Sequence, residues 1–199
     1  MSQLIETIRI LDGQFNDLRY HEQRMDYSLK ELYGVEGKTD LSQFFSLLHL
    51  PQQGLYKCRL LYDHQSKVVE FIKYTIKPVT SLRLIVDNNI LYDHKYSDRS
   101  SMAQLVQKRS GCDDILIVKN GSVTDSYYAN IVFKSGNKWY TPQTYLLRGT
   151  MRERLIHSGE IQEEQIRMND IEKFEKFKLI NAMLGFESSE CDISNILHP

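Results

Sequence analysis

Apolar and polar side chains alternate from Leu4 to Ile10 and run into Asp12-Gly13, a strong turn dipeptide, so the chain is expected to open with a hairpin. The period then changes. Between Tyr20 and Tyr33, Met25, Leu29 and Leu32 fall at i, i+4 and i+7, and Gly34 can close the resulting helix in a left-handed conformation. A shorter helix is expected over Leu41 to Leu50, stopped by Pro51. Tyr56 to Asp63 and Lys67 to Lys77 are rich in Tyr, Val, Ile and Leu around a polar turn and read as a second hairpin.

Pro78-Val79-Thr80-Ser81 is short and turn-prone and is followed by a fresh strand, Leu82 to Val86, which places a domain boundary near residue 80. A helix over Asp98 to Arg109 comes next, then a third hairpin made of Ile115 to Val118, the turn Asn120-Gly121, and Val123 to Phe133. As neighbours on one strand, Tyr127 and Tyr128 would point to opposite faces. Ser135-Gly136-Asn137 turns the chain into Trp139-Tyr140. Helices are expected over Gly149 to His157 and Ile171 to Lys178, with strands at Gln162 to Arg167 and Lys178 to Met183. Hairpins mixed with helices predict an α+β fold rather than a doubly wound sheet, with a small N-terminal α+β domain (1–80) and a C-terminal mixed or barrel-like domain (81–199).

Composition narrows the functional classes. The formal net charge is -1, from 25 basic and 26 acidic residues without blocks of one sign, so neither a nucleic-acid nor a membrane partner is expected. Cys58, Cys112 and Cys191 are odd in number and far apart, which suggests no disulfide framework and no zinc site. His21 and His94 lack a second ligand at metal-binding spacing, so no metal is expected. Glu6, Arg9 and Asp12 interrupt any export signal, and a cytoplasmic protein is the expectation.

Candidate chemistry is concentrated in five runs: His21-Glu22-Gln23-Arg24; Lys95 within Tyr92-Asp93-His94-Lys95-Tyr96-Ser97-Asp98-Arg99; Gly121 to Phe133, which holds Asp125 and Asn130; Trp139-Tyr140-Thr141-Pro142; and Leu147-Arg148-Gly149-Thr150-Met151-Arg152. The last reads as an anion cradle, with a glycine that lets backbone approach an anion and the N–H groups of a helix start. In this order the runs resemble the class IV aminotransferase family, pyridoxal phosphate (PLP) enzymes of fold type IV, from Glu6-Thr7-Ile8-Arg9 to about Asn181.

The resemblance implies specific roles. Lys95 would be the amine that bonds to the cofactor's aldehyde and then serves as acid and base; Asp125, where the family has glutamate, would face the pyridine nitrogen. Arg24 and the Gly149, Thr150 and Met151 segment would hold the phosphate, Asn130 would line the cofactor, and Arg59 and Arg99 would contact substrate. Three positions depart from the family pattern: Asp98 for asparagine, Asp125 for glutamate, and Ile180 for a threonine that often brings a hydroxyl to the phosphate. The chain is also shorter than most family members. The implied substrate is a small amino compound and the implied assembly a homodimer. The activity the resemblance implies first is that of an aminodeoxychorismate lyase, releasing 4-aminobenzoate and pyruvate for folate synthesis, with an amino-acid transaminase of branched-chain or D-amino-acid type as the alternative. A non-catalytic shortened relative is the third reading.

Overall fold

The computed structural model describes residues 3–198 and divides into two compact units, each with its own core. The first runs to Ile76 and takes in His94–Asp98; the second comprises Lys77–Asp93 and the chain from Arg99 onward. Lys95 therefore belongs to the first unit. Its carbonyl accepts a hydrogen bond from the Ile5 N–H at 2.9 Å, and the Ser97 N–H donates to the Gln3 carbonyl at 2.8 Å, so the segment adds itself to the edge of the first sheet.

That sheet is antiparallel, in the order β2-β1-β3-β4, with β1 Leu4–Leu11, β2 Gln14–Phe15, β3 Leu55–Tyr62 and β4 Lys67–Lys73. Alternation turns Leu4, Glu6, Ile8 and Ile10 of β1 inward, together with Cys58, Leu60 and Tyr62 of β3. Helix α1 (Leu18–Tyr33) covers this face and ends at Gly34, whose φ of 66° is the left-handed cap that glycine adopts without penalty. The buried positions of α1 are His21, Met25 and Ser28, whereas Leu32 is exposed. The helix forms where expected, but Leu32 falls outside its buried stripe, which is His21, Met25 and Ser28 and is partly polar because it meets Glu6. Helix α2 (Leu41–Ser46) is capped by Asp40, which accepts from the Gln43 N–H at 2.7 Å; it adds Leu41 and Phe45 to the core and stops short of the expected Leu50.

The second unit contains β5 (Leu82–Val86), α3 (Ser100–Val106), β6 (Asp114–Lys119), β7 (Ser122–Ser126), β8 (Asn130–Ser135), β9 (Lys138–Pro142), α4 (Thr150–His157), β10 (Gln162–Glu164), β11 (Lys176–Ile180), β12 (Cys191–Asp192) and β13 (Ile196–Leu197). The mixed sheet runs β10-β9-β8-β7-β6-β5-β13, with β11 also paired to β8. Strands β13, β5 and β6 are parallel, and β6 is buried on both faces, which its unbroken run Ile115-Leu116-Ile117-Val118 anticipates. Strand β8 is the branch point: β7 and β9 share one of its edges and β11 takes the other.

Four expectations need correction. Residues Ile171 to Lys178 are not one helix: a 3-10 helix covers Met168–Lys173 and β11 begins at Lys176. Ile171, Phe174 and Phe177 mimic helical spacing, but Phe177 pairs across the sheet with Phe133, and long-range pairing overrides the local period. The Val123 to Phe133 strand likewise breaks into β7 and β8, joined by a tight connection at 127–129. The 98–109 helix is shorter than expected and finishes as a 3-10 turn at Gln107–Arg109. Strand β10 keeps only the first half of the expected Gln162 to Arg167.

Candidate functional site

In the first unit an ionic cluster lies inside the apolar core. Glu6 occupies an inward position of β1 and is fully buried. Its Oε2 accepts from His21 Nδ1 at 2.6 Å and from Arg24 Nη2 at 2.5 Å, while Oε1 accepts from Arg24 Nε at 2.9 Å. The forked contact fixes the plane of the Arg24 guanidinium. Burial would raise the Glu6 pKa, but the Arg24 charge and the His21 and Arg24 hydrogen bonds outweigh it and bring it to about 2. His21 is neutral. Burial lowers its pKa despite Glu6, and its Nε2 has no hydrogen-bond partner, so protonation would strand a buried N–H. Ser28 and His94 extend the polar set, with His94 Nδ1 at 3.1 Å from Ser28 Oγ.

Lys95 stands on the strand segment next to this cluster. The antiparallel bridge Leu4↔Tyr96 and the Ile5 to Lys95 hydrogen bond set Lys95 across from Ile5, one position off the inward-facing Leu4 and Glu6. Arg59 lies across from Thr7, again off the inward parity. Lys95 itself is the middle of a tight turn closed by the Tyr96 N–H to His94 carbonyl bond (2.9 Å), and its charge helps to lower the pKa of His21 in the Glu6 cluster; Arg59 lies on the opposite sheet face. Arg59 pairs there with Glu70 at 3.1 Å.

In the second unit Asp125 is the penultimate residue of β7 and Asn130 starts β8; they face each other in the one β7–β8 register pair. Asp125 Oδ1 accepts from Asn130 Nδ2 at 2.7 Å, and Oδ2 accepts the N–H groups of Leu146 and Leu147, both at 2.9 Å. Burial raises the Asp125 pKa to about 6 against these hydrogen bonds and the nearby Arg152 charge. Among the described residues Asp125 forms no ion pair. Asn130 also donates to the Leu147 carbonyl at 3.1 Å, so its amide ties the strand pair to the loop entering α4. Gly149 caps α4 without a side-chain bond; the first-turn residues Thr150, Met151 and Arg152 are buried, and their N–H groups lie ahead of the first in-helix bond, Glu153 N–H to Gly149 O.

The aminotransferase class IV family model matches residues 3–187. The chain belongs to the class IV aminotransferase family. Over 188 residues it is 40% identical to an uncharacterised protein of Haemophilus influenzae, covering 93% of this chain and 100% of that one. The crystal structure of a "putative 4-amino-4-deoxychorismate lyase" from Haemophilus somnus is similar at a TM-score of 0.88 and 33% identity, covering 94% of this chain and 98% of that one. The PLP-bound form of a hypothetical aminotransferase from Mycobacterium tuberculosis shares the fold at a TM-score of 0.72 and 17% identity, covering 92% and 78%. The fold is the α+β type IV architecture of these enzymes. This chain spans nearly the whole of both Haemophilus proteins, so its short length is common to all three.

Within that family frame several side chains have local work of their own. Arg99 packs its guanidinium against Tyr127 (4.3 Å to the ring centre) and Tyr128 (4.6 Å) and donates to the Tyr127 carbonyl. Its described contacts thus hold the connection between Asp125 and Asn130. The two tyrosines flank the same cation because they sit in a turn, where the strand alternation expected for them does not apply. Asp114, buried at the start of β6 and raised to about pKa 6 by burial, accepts the Tyr127 N–H. Ile180, in place of the family threonine, is fully buried with Val132, Met151 and Leu155 beneath α4. Arg152 is 2% exposed, bonded to Glu163 at 2.6 Å and the Pro142 carbonyl at 2.9 Å.

Sequence reasoning passed over Glu6 and Arg152. A signal existed for Glu6, a charge on the buried parity of an amphipathic strand; for Arg152 there was none beyond its neighbourhood. Among the described residues no group of three His, Cys, Asp or Glu side chains could hold a metal, and no helix is long and apolar enough to cross a membrane.

Gly149 is sterically required. A Cβ there would lie 1.8 Å from Asn130 Oδ1, and the Asn130 amide cannot retreat without losing Asp125. Gly149→Ala is expected to cost about 1–3 kcal/mol in urea denaturation. Part of this should return when Asn130→Ala is added; an unchanged midpoint for the single variant would refute the clash.

Proposed function

We propose that the protein is a PLP-dependent enzyme that cleaves aminodeoxychorismate to 4-aminobenzoate and pyruvate. The observation that carries the cofactor is Asp125, a fully buried carboxylate held near pKa 6 with no ion pair among the described residues. A protonated pyridine nitrogen is the cation such a group lacks. The residues present fit PLP in other respects: in the first unit Arg24 is a pre-oriented guanidinium suited to phosphate, and in the second the start of α4, where only glycine fits at 149, offers N–H groups suited to an anion. PLP, when bound, supplies an aldehyde that a primary amine can attack and a ring that draws electrons from the carbon bearing that amine.

In this reading Lys95 Nζ would be the amine that holds PLP in the resting enzyme. It then takes the proton from the amine-bearing substrate carbon and delivers one to the departing pyruvate. Arg59 would orient a substrate carboxylate, the role the family resemblance gives it. The overall reaction balances without water or a second substrate, since the two products together contain every atom of aminodeoxychorismate. Likeness to the Haemophilus somnus structure supports the lyase over a transaminase. A homodimer and a cytoplasmic location complete the proposal.

Two incubations test it. With PLP and aminodeoxychorismate, 4-aminobenzoate and pyruvate should form in equal amounts. With amino acids and 2-oxoglutarate, glutamate should not accumulate; glutamate formation without lyase products would make the chain a transaminase.

A further inference from the structure

Among the described residues, strands β7 and β8 pair through one rung, Asp125↔Asn130, so no longer ladder between them fixes how those two side chains face each other. The connection that joins them takes over that task. It closes on itself through the Ser126 N–H to Ala129 carbonyl bond at 2.8 Å and the Ala129 N–H to Ser126 Oγ bond at 3.1 Å. It is then tied to three other elements of the same unit. Asp114, at the start of β6 and 4% exposed, accepts the Tyr127 N–H and the Ser126 hydroxyl. Arg99, the residue that precedes α3, donates from Nη2 to the Tyr127 carbonyl. Asn181, the residue after β11, donates from Nδ2 to the Tyr128 carbonyl at 3.3 Å.

Tyr127 is thus held by opposite charges, its N–H by a carboxylate and its carbonyl by a guanidinium, and hydrogen bonds of this kind are roughly twice as strong as neutral ones. The guanidinium is itself confined. Its centre lies 5.5 Å from the Tyr92 ring centre, 4.3 Å from that of Tyr127 and 4.6 Å from that of Tyr128, and its Nε is buried without a hydrogen-bond partner. We propose that Arg99 and Asp114 are positioning residues that grip Tyr127 from both sides and so set where the Asp125 carboxylate stands for a bound cofactor. This rests on the reading of Asp125 as the carboxylate facing the pyridine nitrogen, and not on which reaction follows. Arg99 serves the site through the backbone of the turn. A lysine in its place keeps the charge but lacks the planar fork that stacks on the tyrosines while donating to the carbonyl.

The test measures the PLP dissociation constant by absorbance titration, the position of the visible band of the loaded protein, and the urea midpoint without cofactor. Arg99→Met and Asp114→Asn should each raise the PLP dissociation constant about ten-fold, the scale on which groups that orient a ligand-holding residue act. Both should move the visible band in the direction that Asp125→Asn moves it. Arg99→Lys should recover only part of the affinity. Because the clamp acts through Asp125, adding Arg99→Met to Asp125→Asn should weaken PLP binding by no more than about two-fold further.

A lowered urea midpoint in Arg99→Met and Asp114→Asn, with PLP affinity and visible band unchanged, overturns the proposal and leaves the clamp a stabiliser of the turn alone. Full additivity of Arg99→Met and Asp125→Asn also defeats it, because Arg99 would then act on the ligand independently of Asp125. If Arg99→Met does not fold, Asp114→Asn, which keeps the size of the side chain, takes its place in the double variant. A wild type that binds no PLP ends both this proposal and the cofactor reading. A wild type that binds PLP but does not cleave aminodeoxychorismate ends the lyase reading, while the ten-fold losses in the clamp variants would still support the clamp.

Discussion

Lys95→Ala should lose the visible absorbance that the wild-type protein acquires with PLP, and with it essentially all turnover. The absorbance depends on a covalent bond between cofactor and lysine amine, so it reports on Lys95 whatever the reaction proves to be. Loss of the acid–base role alone accounts for about 10²–10⁴ in rate, and loss of the covalent attachment adds to it. Folding should survive, because the contact that places residue 95 in the sheet is its backbone carbonyl, which alanine retains. A visible band persisting in Lys95→Ala, with unchanged far-ultraviolet circular dichroism, would move the covalent attachment elsewhere.

The largest effect on stability should come from Glu6. Glu6→Gln keeps the shape of the side chain but removes the buried charge that the Arg24 guanidinium grips; breaking a buried pair this way costs about 3–5 kcal/mol. Denaturant unfolding should show a shift of that size. PLP affinity should drop as well, since Arg24 loses the fork that orients it.

The same cluster sets the acid limit of the fold. The Glu6 pKa falls from 4.5 to about 2 on folding, so its contribution is complete above the unfolded value and disappears as pH falls from about 4.5 through 2. A shift of that size corresponds to roughly 3 kcal/mol. His21 acts in the same direction: its pKa is lowered by burial, so below pH 6.5 the unfolded chain takes a proton that the native protein refuses. Stability should therefore decline on acidification in wild type and be flatter in Glu6→Gln. An equally steep decline in that variant would place the acid-labile group elsewhere.

Much of the fold is legible along the chain. Strand β5 lies where expected, α1 ends at the expected glycine, and the Asn120-Gly121 hairpin forms, with φ of 51° and 78° at its turn. These depend on residues a few positions apart, where local sterics decide. The misreadings lie where partners are distant. Ile171 to Lys178 has helical spacing, yet β11 is drawn out by pairing with β8 some forty residues earlier. Tyr127 and Tyr128 leave strand geometry because Arg99 and Asp114 hold the connection between β7 and β8 by its peptide groups.

The candidate chemistry divides in the same way. The sequence by itself determined the family, and it offers Lys95, Arg24, Asp125 and the Gly149-Thr150 helix start to the proposed chemistry, because these readings need only residue types in order. Only the tertiary structure decided what each group is bonded to: Arg24 is clamped by an acid eighteen residues away, Asp125 and Asn130 brace the loop into α4, and Arg59 pairs with Glu70. The physical reason is that hydrogen bonds and ion pairs act over a few ångströms of space. Strand register and helix placement bring distant residues within that range, and no periodicity along the chain encodes which ones will meet.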